Sequence, residues 1–187
     1  MIPPTRKIIV YIATSADGYI ARPDGDVQWL HRPGLRGSYG MGAFMRSIDT
    51  ILWGRRTYDQ ALGFGEGEAG GMFGGNVRNY VFTHRPPASP AAGVEFVSEP
   101  VSTFARRLRG APGKDIWMMG GAAIIGAFLD EGQIDEFIIH VVPTLIGEGI
   151  PLIAPRHRMV PLKLHSTRRY RDGVVRLRYA VDGAPSR

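Results

Sequence analysis

The chain has 187 residues, 44% of them hydrophobic and 21% charged, with a formal net charge of +6. That length and balance supply enough apolar surface for a folded core and argue against a disordered chain. No cysteine occurs, which excludes disulfides, thiolate metal ligands and a cysteine nucleophile.

The sequence shows neither a secretory h-region nor an apolar run long enough to span a bilayer, so a cytoplasmic, single-domain protein (residues 1–187) is expected. The positive charge suits an anionic small ligand or a nucleic acid. The arginines, however, are scattered through Arg55-Arg56, Arg106-Arg107-Arg109, Arg156-Arg158 and Arg168-Arg169-Arg171, with no nucleic-acid motif around them. An anionic small ligand is therefore expected, and no nucleic acid. The five histidines are dispersed, and no metal site is expected.

In chain order, Lys7 to Thr14 is β-branched and apolar and predicts a central strand. Two Asp-Gly pairs, Asp17-Gly18 and Asp24-Gly25, then predict turns in a long loop. A loop after the first strand of an α/β sheet lies where ligands bind, and this one leads to Trp29 and His31. Ala43 to Ile48 reads as the end of a short helix. Thr50 to Trp53 predicts a second strand, which delivers Gly54-Arg55-Arg56-Thr57 to a helix start. Guanidinium donors and free N–H groups converging there suit a phosphate, although two solvated arginines on a helix give the same pattern.

Phe64 to Gly75 is glycine-rich and predicts a surface loop. Asn79 to Thr83 and Val94 to Val97 are further strands, with His84 and Arg85 following the first and a Pro/Ala/Ser loop, Pro86 to Ala92, between them. Val101, Phe104, Ala105 and Leu108 share one helix face, which leaves Arg106, Arg107 and Arg109 as a solvated face. Ile116 to Met119 is a buried-strand run broken by Gly120-Gly121, and Ala122 to Leu129 is apolar on all sides, as in a buried helix. Strand, glycine pair and helix make either a phosphate cradle or an ordinary tight turn. Ile134 to Val142 is another strand, and Pro143 to Leu152 a punctuated loop. Leu162 to Tyr170 and Val174 to Val181, joined around Asp172-Gly173, predict a hairpin.

Gly54-Arg55-Arg56-Thr57-Tyr58 resembles the glycine-arginine-x-threonine motif of the dihydrofolate reductase family, and Met119-Gly120-Gly121-Ala122 resembles its glycine-pair motif. Ser15 to Ala21 and Pro143 to Leu152 are similar to one branch, the reductase domain of the bifunctional riboflavin-biosynthesis deaminase-reductase and its stand-alone relatives. The resemblance runs from about Lys7 to Val181 with its motifs in order. It implies a dihydrofolate reductase-like three-layer α/β/α fold, with a mixed, mostly parallel central sheet and a C-terminal antiparallel hairpin. It also implies an NADPH-dependent reductase, in a branch that is often dimeric. By that likeness Gly120, Gly121 and Ala122 meet the pyrophosphate. Gly54, Arg55, Arg56 and Thr57 hold the adenosine half, with Thr83 and Arg85 nearby.

Two departures bear on substrate. Met119 stands where the riboflavin-pathway reductases carry a glutamate, and Gly34 to Ile48 lacks the carboxylate that dihydrofolate reductases place on their first helix. Neither substrate is transferred, and a small pterin- or pyrimidine-like heterocycle is the expected acceptor. Such an acceptor needs a proton beside the atom that takes the hydride. Asp17, Asp26 and His31 are the candidate donors, with turn formation the competing role for Asp17. Trp29 either stacks on a flat ring or anchors the loop. The alternative expectation is a nucleotide-binding protein of the same fold without turnover.

Overall fold

The computed structural model describes residues 6–31, 39–63, 77–87 and 92–182. The predicted loop at Phe64 to Gly75 and part of the Pro86 to Ala92 loop lie outside these residues.

Strong β-formers make the central strands. These are β1 (Ile8–Ser15), β3 (Ile48–Gly54), β4 (Arg78–Phe82), β5 (Val94–Val97), β6 (Asp115–Gly120) and β7 (Glu136–Val142). With β9 (Leu162–Arg169) and β10 (Val175–Val181) they form one eight-stranded sheet in the order β5-β4-β3-β6-β1-β7-β10-β9. The pairs from β5 to β7 are parallel, and β10 runs antiparallel to both β7 and β9. The mixed sheet with its C-terminal hairpin is the arrangement the sequence predicts. A small second sheet pairs β2 (Tyr19–Ala21) with β8 (Ile150–Pro151), two elements that sequence reading leaves inside loops.

Helices cover both faces, because alternate strand residues point to opposite sides and both sides are apolar. Ile8 and Val10 face α3 (Val101–Gly110) and α4 (Ala122–Asp130), packing with Phe104, Leu108, Ile125 and Phe128. Ile9 and Tyr11 face α1 (Met41–Ser47) and α2 (Arg55–Gly63), packing with Phe44, Tyr58, Trp53 and Trp117. The helix expected to end at Ile48 stops at Ser47, since Ile48 is already extended and paired into the sheet.

The polar side of α3 differs from expectation at one residue. Arg106 and Arg107 are exposed, but the Arg109 side chain is only 8% exposed and pairs with Asp135 at 2.7 Å. It also donates to the carbonyls of Arg6 at 2.9 Å and Gln133 at 2.8 Å. A cation at a helix C-terminus is favoured there, and this one ties α3 to the segments that begin β1 and precede β7. Nearby, buried Glu136 accepts from Lys7 and, at 2.8 Å, from Arg178, so its charge is compensated on both oxygens. The sheet is thereby pinned at the end opposite the glycine turns.

Candidate active site: two glycine turns and an apolar cavity

Parallel strands deliver their following loops to one end of a sheet, and here β3 and β6 are neighbours. Their glycine turns therefore meet. A Cβ placed on Gly54 would lie 3.3 Å from the Gly120 carbonyl oxygen, 3.3 Å from the Gly121 nitrogen and 3.3 Å from Ile124 Cγ2. One on Gly121 would lie 3.3 Å from Thr57 Oγ1. Gly120 has φ 110, which favours glycine, and the Gly120–Gly121 peptide is cis. No side chain caps α4, so its first N–H groups open onto this junction. The structure thus brings Gly54, Thr57, Gly120, Gly121 and Ala122 together, and the two turns approach this closely only because Cβ atoms are missing at Gly54 and Gly121.

Arg55 opens α2 and reaches toward the end of β4. Its Nη1 donates to the Arg85 carbonyl at 2.7 Å, while Nε donates to both oxygens of Asp59 at 2.7 and 2.8 Å. Thr83 Oγ1 accepts from the Arg85 N–H at 3.0 Å, which shapes the turn after β4. Arg55, Thr83 and Arg85 accordingly share one edge of the cradle. Arg56 is exposed and makes no side-chain hydrogen bond or ion pair among the described residues.

Beside the cradle, between α1 and the sheet, lies a cavity of about 360 Å³. Met119, the residue before Gly120, lines it, as does Ile12, whose Cδ1 lies 3.7 Å from where a Gly120 Cβ would stand. The other walls are apolar apart from Tyr11, Tyr39 and His140. Leu30 and Met41 contribute from the 3₁₀ turn Gln28–Leu30 and from α1, and Val174 from the C-terminal hairpin.

The four residues singled out from sequence do not line this cavity. Asp17 is exposed, and its carboxylate accepts from Gly147 N at 2.7 Å and Ile146 N at 3.2 Å. The Ser15 hydroxyl, then these N–H groups, hold it below the usual carboxylate range, so it is an anion that pins the loop before β8. Asp26 accepts from Gln28 N at 3.2 Å and starts the 3₁₀ turn. His31 is exposed. Trp29 is half-buried, with its indole Nε1 buried and unpartnered, while its neighbour Leu30 reaches the cavity instead.

Sequence reading missed His140. It sits on β7 with only 4% of its surface exposed, opposite Ala13 of β1 and Arg176 of β10. Its Nε2 lies 3.3 Å from the Tyr39 carbonyl oxygen, to which it donates in the Nε2–H tautomer. That oxygen also accepts from Tyr11 OH at 3.1 Å and Tyr170 OH at 2.9 Å. Burial holds the imidazole below its ordinary pKa against the Tyr39 and Ile12 carbonyls, and the Arg176 charge adds to burial. Burial likewise pushes the Tyr11 phenol up to about 12. Both rings are therefore neutral donors near neutral pH. The available signal was alternation, since His140 shares its side of β7 with buried Ile138.

Comparison with known proteins agrees with this architecture. An uncharacterized protein of Bacillus subtilis, YwjB, is 35% identical over 170 residues, covering 90% of this chain and 95% of that protein. A second, YyaP, is 31% identical over 186 residues, covering 95% and 96%. A putative riboflavin biosynthesis protein from Shewanella sp. PV-4 superposes with a TM-score of 0.82 at 26% identity, covering 94% of this chain and 99% of that one. Dihydrofolate reductase from Enterococcus faecalis, solved with NADP(H), shares the fold with a TM-score of 0.63 at 16% identity, covering 94% and 96%. The RibD C-terminal domain model matches residues 6–176, and the chain belongs to the RibD C-terminal domain family.

Proposed function

We propose that the protein is an NADPH-dependent reductase that passes hydride to a small pterin- or pyrimidine-like heterocycle in the cavity beside the glycine turns. The observation that carries this reading is the junction itself, where the turns at Gly54 and Gly121 pack closely beside the uncapped α4 N-terminus and an apolar cavity. A dinucleotide pyrophosphate fits such a junction, because the uncapped α4 N-terminus faces it with free N–H groups. Bound NADPH supplies the hydride; the chain supplies orientation and a dry enclosure. Arg55 and Arg85, brought to one edge of the cradle, form the subsite for the 2′-phosphate, with Thr83 shaping their turn. Family membership and the NADP(H)-bound structural relative support the same cofactor. We further read the chain as a single-domain cytoplasmic protein acting as a homodimer.

The test is calorimetric titration with NADPH and NADH. Wild-type protein is expected to prefer NADPH, and Arg55→Ala to remove most of that preference, weakening NADPH by about ten-fold while NADH changes little. Equal loss for both cofactors overturns the phosphate assignment, and no binding of either overturns the reductase reading. The second reading is nucleotide binding without turnover. The absence of a carboxylic acid among the described lining residues favours it, and it predicts binding with no NADPH consumed over a broad acceptor panel.

A further inference from the structure

Among the described residues, four side chains that line the cavity carry an N–H or O–H, and three are already committed. Tyr11 gives its only proton to the Tyr39 carbonyl. The Tyr39 hydroxyl pairs with the Asp172 carboxylate. The indole N–H of Trp117, another lining residue, donates to the Tyr11 carbonyl at 3.0 Å. His140 differs. A carbonyl oxygen has two lone pairs, and the Tyr39 oxygen receives three donors, of which His140 Nε2 is the farthest at 3.3 Å. Removing the two phenols from that oxygen would break shorter bonds; removing the imidazole breaks the longest and leaves the oxygen satisfied.

Among the described residues the lining contains no carboxylate and no lysine or arginine. A ligand with a cationic ring edge would lose its hydration there without gaining an anion, which is a large penalty. A neutral ring with an acceptor atom loses little and gains a donor.

We propose that His140 is the specificity-determining residue of this cavity, turning its Nε2 proton from the Tyr39 carbonyl to a carbonyl oxygen or unprotonated ring nitrogen of a neutral, flat heterocyclic ligand. The inference deepens the reductase reading and rests on its choice of this cavity for the acceptor. The sequence departures agree with it, since Met119 lines the wall beside the glycine turn without bringing charge. His140 selects for ligand acceptors, whereas a carboxylate in such a pocket selects for ligand donors.

The experiment is calorimetric titration of the cofactor-free protein at neutral pH with two probes of one skeleton. One is lumazine, whose pteridine ring carries two carbonyl groups. The other is its diamino analogue, with amino groups in place of both oxygens and an edge that favours a carboxylate partner. Wild-type protein is expected to bind lumazine more tightly by about ten-fold, the scale of one good hydrogen bond. His140→Phe should abolish that difference by weakening lumazine alone, and His140→Gln, which keeps a donor, should restore much of it. Equal or tighter binding of the diamino probe to wild-type protein overturns the proposal, as does lumazine binding that is indifferent to His140→Phe. If His140→Phe fails to fold, the wild-type preference and the His140→Gln response decide. NADPH titrated into the same samples separates the two readings. NADPH binding without lumazine binding sinks this inference alone, and lumazine selectivity without NADPH binding sinks the cofactor.

Discussion

His140 is an expensive residue to protonate. In the unfolded chain its imidazole takes up a proton near the ordinary value of 6.5, whereas burial and the Arg176 charge delay uptake in the folded protein. The unfolded chain therefore binds more protons as the pH drops below about 6.5, and stability declines with falling pH in that window. The groups facing the ring are Tyr11 from β1, Tyr39 before α1, Tyr170 after β9 and Arg176 from β10. Among the described residues Arg176 supplies a positive charge beside the ring and no facing carboxylate offsets the new cation; Asp172 reaches the cluster through the Tyr39 hydroxyl. The melting temperature of wild-type protein is expected to fall between about pH 7 and pH 5, with His140→Gln flattening that limb. Parallel slopes for the two proteins would remove His140 as the cause. The carboxylates act lower down. Asp17, Asp130 and Glu136 sit below their ordinary 3.8 and 4.5, so their stabilisation is present above those values and lost as pH falls through the lowered ones.

Among elements, the contact between the β3–α2 and β6–α4 turns has no slack. A methyl group on Gly54 meets backbone on two of its three sides at 3.3 Å, and backbone yields less readily than a side chain. Gly54→Ala is expected to push the turns apart and weaken NADPH and NADH alike, by about ten-fold, unlike the selective effect at Arg55. Unchanged affinity for both cofactors would mean the turns do not hold a dinucleotide. These turns were legible because local sequence dictates them: a buried-strand run, glycines, then a helical apolar pattern. β2 and β8 were not, since three and two residues carry no readable period and their pairing joins segments far apart in the chain. Arg109 looked solvated for a related reason, as helical spacing gives its face but not Asp135 lying beside it. The cavity was the least legible feature. The sequence loop pointed to Asp17 and His31, yet Leu30 alone of that stretch reaches the lining, and His140 arrives from β7.

At the level of the whole molecule, the sheet ends in a strand that nothing covers. Every residue of β9 is exposed, and Leu162 and Leu164, on one side of the strand, retain 43% and 51% of their surface. Met159, just before, retains 92%. In the homodimer proposed above, these exposed apolar side chains are the candidate contact. Lys163, Arg168 and Arg169 place like charges along the same strand, which disfavours edge-to-edge pairing and, in the proposed homodimer, favours the leucine side as the contact. Sedimentation equilibrium is expected to give a dimer for wild-type protein and a monomer for the Leu162→Ser, Leu164→Ser double variant, with little change in melting temperature. A wild-type monomer would dispose of the homodimer.

The Tyr39 carbonyl also ties the cavity to distant parts of the chain. Its three donors come from residues 28, 101 and 131 positions away, the last in the C-terminal hairpin. Contacts that span so much chain close large loops, whose entropy must be offset before they return any free energy. The cavity wall at α1 is completed only when the end of the chain docks. The pocket and the C-terminal hairpin are thus one structural unit, with Val174 in the wall and Tyr170 holding the Tyr39 carbonyl.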